Sequence, residues 1–302
     1  MLTRSLPSDE SPTLYFSAVT PLPEVQPYAG DPDVLRQLGR TDRRGQVALR
    51  SGDLDIAEEC FRCSLELRQR GSSAVQAGLP QAFGRLAIVS MRRGDLHRAS
   101  ALFDLGLEVA RALRTQLNAE DAMLLQNLGY IARIRGDLDE AERCYASALS
   151  IKLLALGWSH PTVATTLCSQ GMVLLRRGQA SEALAKFERA REIHEAATGS
   201  LSPGLGHIHM GIGSALLRLG QYVAAEHSFG QALSVKEAIP VSRTQIARSR
   251  FQLARARWNR DRVSARELAR QALREYSQSH HNRPQPLAAM RTWLATHTVS
   301  TA

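Results

Sequence analysis

The sequence predicts an all-α fold: a stack of about six helix-turn-helix repeats closed by a C-terminal capping helix. Three observations predict it. Gly-turn anchors recur every 42 residues, at Gly52, Gly94, Gly136, Gly178 and Gly220, and a degenerate sixth, Arg260-Asp261, follows after 40. A fixed period of this size marks an array in which each unit leans on its neighbours. Side chains of the same kind reappear at the same offsets from each anchor. The composition, 44% hydrophobic and 22% charged, is ordinary for a folded soluble chain.

The elements follow in chain order. Residues 1–31 hold five of the twelve prolines and show no helical periodicity, which predicts a disordered or loosely attached tail. Tyr15 and Phe16 would let that tail serve as an internal ligand. The array then occupies 32–277. Five residues after the anchors stand Ala57, Ala99, Ala141, Ala183, Ala225 and Ala265; nine after stand Phe61, Phe103, Tyr145, Phe187, Phe229 and finally Ala269. Twelve after come Ser64, Gly106, Ala148, Ala190, Ala232 and Ala272, and seven before come Gly45, Ala87, Gly129, Gly171, Gly213 and Leu253. Intervals of four and three place these side chains on one helical face. Small residues there permit close helix approach, and the ring fills the space between them. The anchor glycine ends a first helix (A), and Asp or Gln after it opens a second (B). Leu287, Met290, Trp293 and Leu294 predict a capping helix over 284–297, covering an otherwise exposed apolar end.

Leu128-Gly129, Gly136, Ala141, Tyr145 and Ala148 reproduce the Leu-Gly, Ala, aromatic, Ala pattern of the tetratricopeptide repeat, which the chain resembles. Its 42-residue period, and Leu156-Gly157-Trp158-Ser159-His160-Pro161-Thr162-Val163-Ala164 between the third and fourth units, are similar to the kinesin-light-chain subtype. Pro161 suits the first turn of the next helix, with Ser159 or His160 at its cap. The last repeat, with Phe251, Trp258, Ala265, Leu268 and Tyr276, resembles the terminal unit of arrays attached to bacterial signalling kinases, although no kinase motif is present.

The resemblance implies a superhelix whose A helices line a concave groove. The function it implies is a non-catalytic scaffold or adaptor that binds a peptide or protein segment in bacterial signalling or regulation. Groove positions fall 13, 10, 6 and 3 residues before each anchor. They include Met91, Gln126, Tyr130, Arg133, Met172, His207, Met210 and Ser214, with Asn127 beside Gln126 as the nearest approach to a peptide-binding Asn pair. Arginine recurs two residues before the anchor at Arg50, Arg92, Arg176 and Arg218. Two readings stand. The ladder complements the dipole at the end of each A helix, or it clamps the carboxylates of an acidic peptide.

The formal charge of +9 is confined to the C-terminal end. Residues 241–302 carry 12 Arg against Asp261, Glu267 and Glu275, whereas the first 240 residues balance 26 bases with 26 acids. Arg250, Arg257 and Arg262 belong to this cluster. A solvated helix face, a surface for an acidic partner, and a nucleic-acid contact are its readings; no nucleic-acid motif accompanies it, so nucleic acid is not the expected partner. Chemistry is not expected either. His207-Ile208-His209 lacks the spacing that turns two imidazoles to one metal. Cys60 and Cys63 have CxxC spacing, but Cys60 and Cys144 both stand eight residues after an anchor, which reads as a buried packing slot. There is no phosphate-binding glycine loop and no nucleophile elbow. No cofactor, metal or membrane span is expected, and the chain reads as cytoplasmic.

Overall fold

Every helical hairpin is made by its turn. In the computed structural model, Gly52, Gly94, Gly136, Gly178 and Gly220 hold φ between 75° and 92°, a region that costs a side chain steric strain. At Gly136 the glycine N–H bonds to the Arg133 carbonyl, and the Asp137 N–H reaches back to Ala132. This pair of bonds satisfies carbonyls that a helix end leaves open. The next residue starts helix B. Asp53, Asp95 and Asp137 accept from the N–H groups of Ile56, Arg98 and Glu140. Gln179 and Gln221 hold the same position without a side-chain cap; the longer Gln179 side chain donates to Glu182 instead. The sixth turn has no glycine, and Asp261 caps its second helix by accepting from Ser264.

The structure describes residues 32–114, 116–199, 202–239, 241–279 and 284–298, and among them there is no strand. The tail expected at 1–31, with Tyr15 and Phe16, lies outside the described residues. The chain divides between Gly157 and Trp158 into two compact units.

The first unit pairs α1 (Pro32–Ser51) with α2 (Leu54–Arg70), α4 (Leu79–Arg93) with α5 (Leu96–Leu113), and α6 (Asp121–Arg135) with α7 (Leu138–Leu156). A short α3 (Ser73–Gln76) interrupts the connection from α2 to α4; one turn is too short to show a period. The rings of Phe61, Phe103 and Tyr145 are fully buried. A Cβ on Gly45 would stand 2.6 Å from Phe61, and one on Gly129 would stand 2.8 Å from Tyr145. The glycines are what let each ring sit between its two helices. Buried acids join successive hairpins: Asp42 pairs with Arg68 and Arg85, Glu58 with Arg93 and Arg98, and Asp121 with Arg114. Burial raises the Glu58 carboxyl, but Arg98 and Arg93 outweigh it and hold the group below its ordinary value.

The second unit pairs α8 (Pro161–Arg176) with α9 (Ala180–Thr198), α10 (Pro203–Arg218) with α11 (Tyr222–Ala238), and α12 (Arg243–Arg257) with α13 (Arg262–Ser277). Pro161 and Pro203 occupy first turns behind the caps His160 and Ser202, where a missing N–H costs nothing. Phe187 fills the gap within its own hairpin and the gap to the next one. A Cβ on Gly171 would lie 2.8 Å from its ring, and one on Gly211 would lie 2.5 Å from it. Helix α14 (Pro284–Thr296) buries Met290 against Phe251, Ala254, Ala272 and Tyr276. Its Trp293 packs edge-on to Phe251 and Trp258, with centroids 5.8 and 5.3 Å away.

Candidate peptide-binding face

In the second unit the A helices present a mixed row of half-buried side chains. Thr165, Cys168, Met172 and Arg176 run along α8, and His207, Met210 and Ser214 along α10, which ends at the exposed Arg218. Their spacing keeps them on one side of each helix. The opposite sides carry Val163, Leu167, Leu205, Ile208 and Ile212 into the core. Two methionines at the middle of the row supply adaptable apolar surface.

The first unit behaves differently. Met91, Gln126, Asn127, Tyr130 and Arg133 are all buried, Tyr130 and Arg133 to within 1% of fully, and so the expectation that they present a surface is corrected. The four on α6 are occupied inside the protein. The Arg133 guanidinium lies 5.3 Å from the Tyr130 ring centroid, Gln126 accepts from the Lys152 ammonium, and Asn127 donates to the Met123 carbonyl. The repeat period identifies which way these side chains point but not which long side chain from another helix reaches them. Arg92 stays half-buried, and burial lowers its pKa.

One member of the arginine ladder caps across repeats. Arg218 donates to the Leu175 carbonyl at the end of α8. A cation at a helix C-terminus is favourable by ~0.3–1 kcal/mol. Arg93 and Arg135, one residue nearer the anchor, reach instead the Leu54 and Leu96 carbonyls in the first turn of a preceding B helix.

Part of the C-terminal cluster is paired from within. Arg250 is 8% exposed and bridges Glu237 and Glu275. Arg257 and Arg260 share Glu226, and Arg262 lies over the Trp258 ring at 5.6 Å. Of the three arginines expected to meet an acidic partner, Arg250 is corrected to an internal bridge, Arg257 is partly buried and already paired, and Arg262 remains at the surface.

What the sequence reading missed is where the acids are absent. Helices α4, α8, α10 and α12 contain no Asp or Glu. A second omission is Lys236 on α11, which is 5% exposed and donates 3.0 Å to Ser249 on α12. Burial first, and Arg248 second, push this lysine down to about 7. Lys152 stands at the same offset from its own anchor and is likewise driven to about 7 by burial. That shared slot was readable; its depth was not.

The cysteines are free thiols, with Cys60 and Cys144 buried. Burial, then Glu140, pushes Cys144 up to about 12, far from the range of a reactive thiolate. Among the described residues no cluster of His, Cys, Asp and Glu has the makings of a metal site. No helix of the described residues is long and apolar enough to cross a membrane.

The tetratricopeptide repeat family model matches residues 120–196 and 162–238. No curated protein sequence matches the chain. Among solved structures, BtubC (BKLC) from P. vanneervenii is 18% identical, with a TM-score of 0.60, covering 84% of this chain and 95% of its own. Pseudomonas aeruginosa pilF is 17% identical with a TM-score of 0.57, covering 86% and 99%. The nearly identical TPR-like repeats assigned to a kinesin light chain of Podosopora anserina are 19% identical with a TM-score of 0.53, covering 68% and 99%. At these identities the likeness is one of fold. Repeating glycine turns, buried rings at a fixed offset, hairpin after hairpin and the matched family model together make residues 120–238 a tetratricopeptide repeat array, and the hairpins on either side of it repeat the same pattern.

Proposed function

We propose that the chain is a non-catalytic scaffold that binds a peptide or protein segment on the A-helix face of residues 158–302, within a bacterial cytoplasmic signalling or regulatory assembly. Tetratricopeptide folds serve in general as protein–protein interaction scaffolds, and the likeness to bacterial repeat proteins suggests the setting. One observation carries the reading. Met172, Met210 and Ser214 are half-exposed on adjacent helices while the residues at the same repeat offsets in α6, Gln126 and Tyr130, are sealed. Partly exposed apolar side chains with convergent polar neighbours are what a recognition surface needs.

Site-specific photocrosslinking tests it. A photoreactive side chain at Met172 or Met210 is expected to trap a partner in native extract. The same group at Ala146, exposed on α7, is expected to trap none. Crosslinks that form equally at all three positions, or only at Ala146, overturn the proposal.

A further inference from the structure

We propose that the outward face of α1 binds the phosphate backbone of duplex DNA. The surface belongs to the first unit and is independent of the A-helix row of residues 158–302.

Helix α1 carries five arginines, Arg36, Arg40, Arg43, Arg44 and Arg50, and all are exposed. At about 100° per residue they fall, with Val47, on one arc of about 120°. Leu38, Asp42, Gly45, Ala48 and Leu49 hold the opposite side in the core. Arg36 pairs with Asp33, and Arg43 donates to the Gly39 carbonyl. Among the described residues no carboxylate pairs with Arg40, Arg43, Arg44 or Arg50. Asp42, the other acid of the helix, is turned inward to Arg68 and Arg85.

The register of these residues is what sets them apart. Arg40, Arg43, Arg44 and Val47 stand 12, 9, 8 and 5 residues before the Gly52 anchor. In α10 those slots hold Ile208, Gly211, Ile212 and Ala215, all buried, and in α4 Ala82, Leu86 and Val89 are buried at three of them. They face the hairpin before: a Cβ on Gly211 would lie 2.5 Å from Phe187 of α9. Among the described residues no hairpin precedes α1. A face left open there must be polar to stay in solution, and charges of both signs would serve that need. From Arg36 to Arg50 the arc carries no acid. Nor does solubility account for Val47, 61% exposed at its centre.

Guanidinium groups clamp phosphate oxygens in a bidentate manner. The arc is convex, with Arg40 and Arg44 on one side of Val47 and Arg36, Arg43 and Arg50 on the other. A flat lipid surface would meet only its middle, where Val47 is the sole apolar side chain to insert. A groove with phosphates on both walls meets both rows. The major groove of B-DNA is about 12 Å wide and admits an α-helix, whereas that of A-form RNA is deep and narrow. From Arg36 to Arg50 the helix rises about 21 Å at 1.5 Å per residue. With one phosphate per ~3.4 Å on each strand, roughly six on each wall lie along that length. Helix α1 has no aromatic ring on which unpaired bases could stack.

A fluorescein-labelled duplex of about 24 base pairs, titrated with the full chain and read by anisotropy, tests this. Binding is expected to weaken with salt, log K falling by about 3.6 per decade for four phosphate contacts. Arg40→Gln and Arg44→Gln are each expected to lower that slope by about 0.9, and the double variant by about twice as much. Val47→Glu sets an anion among the phosphates and is expected to weaken binding about tenfold. Thermal melts of these surface variants are expected to match the parent. Arg262→Gln, exposed on α13, is expected to change nothing. No binding at low salt, or a slope that the α1 variants leave intact, would overturn the proposal. Tighter binding to phosphatidylserine vesicles would overturn it by giving the arginines to a membrane. Equal affinity for a single strand of the same length would overturn it by dispensing with a groove.

Discussion

Raising the pH from about 7 to about 8.5 is expected to stabilise this protein, and two buried lysines set the size of the effect. Lys152 and Lys236 are 2% and 5% exposed, and burial drives each from 10.5 to about 7. In the unfolded chain a lysine keeps its proton up to about pH 10.4. Between those values the unfolded state binds more protons than the native one, so stability climbs with pH. At 1.36 kcal/mol per unit, less the share of the native proton still bound near pH 7, each lysine adds about 1.5 kcal/mol over the interval. The pair adds about 3 kcal/mol, or roughly 6–12 °C in melting temperature for units of this size. Above about pH 8.5 the climb is expected to slow to about half, because the unfolded Cys144 thiol ionises there while the native one, at about 12, does not, and that offsets one of the two lysines. Thermal melts by circular dichroism across the interval read the slope directly. Lys236→Met removes one titration and is expected to halve it. A flat or falling melting temperature in the parent protein would refute the reasoning, as would an unchanged slope in the variant.

Four further expectations follow from the packing and the imidazoles. Ala141→Leu overfills a site that is fully buried and is expected to cost ~1–3 kcal/mol, whereas Ala146→Leu on the exposed side of the same helix is expected to be nearly silent in chemical denaturation. Glu140 would be a poor control, since it accepts from both Arg143 and Cys144. Gly136→Ala, at φ 92°, is expected to destabilise by about 1 kcal/mol or more, but Gly230→Ala, with open space around the new methyl, is expected to stabilise α11 by up to ~1 kcal/mol; paired urea midpoints compare them. Met290→Ala is expected to cost ~2–5 kcal/mol and to speed amide exchange in α14 before any other helix. On acidification, His209, held at about 4 by burial and then by Arg191 and His227, resists a proton that the unfolded chain accepts near 6.5. Stability is therefore expected to fall from about pH 6.5 towards 4, and His209→Gln should flatten that limb of the melting curve.

The hairpin lattice was legible because its causes are local. A glycine at the turn, an acid after it, and alanines spaced around a ring each specify geometry within one repeat, and the structure places Ala141, Tyr145 and Ala148 together in the core as that spacing requires. The face was legible only where nothing else reaches it. His207, Met210 and Met172 stay half-exposed, but Gln126 is met by Lys152 from 26 residues along the chain, and an offset table cannot contain that encounter. Charge was misread for the same reason. Twelve arginines in the last sixty-two residues look like a basic patch until Arg250 closes on Glu237 and Glu275. The informative pattern was the converse one, four A helices without a single acid.

Phe187 is clasped by glycines from two different hairpins, Gly171 and Gly211. No methyl fits at either position while the ring stays as it is, and a smaller side chain in its place would leave both clefts empty. The three positions are therefore free to vary only as a set. Among descendants of this sequence, a change at one of them should survive chiefly where the other two have already moved, which makes this joint a record of shared ancestry more than a place for gradual divergence.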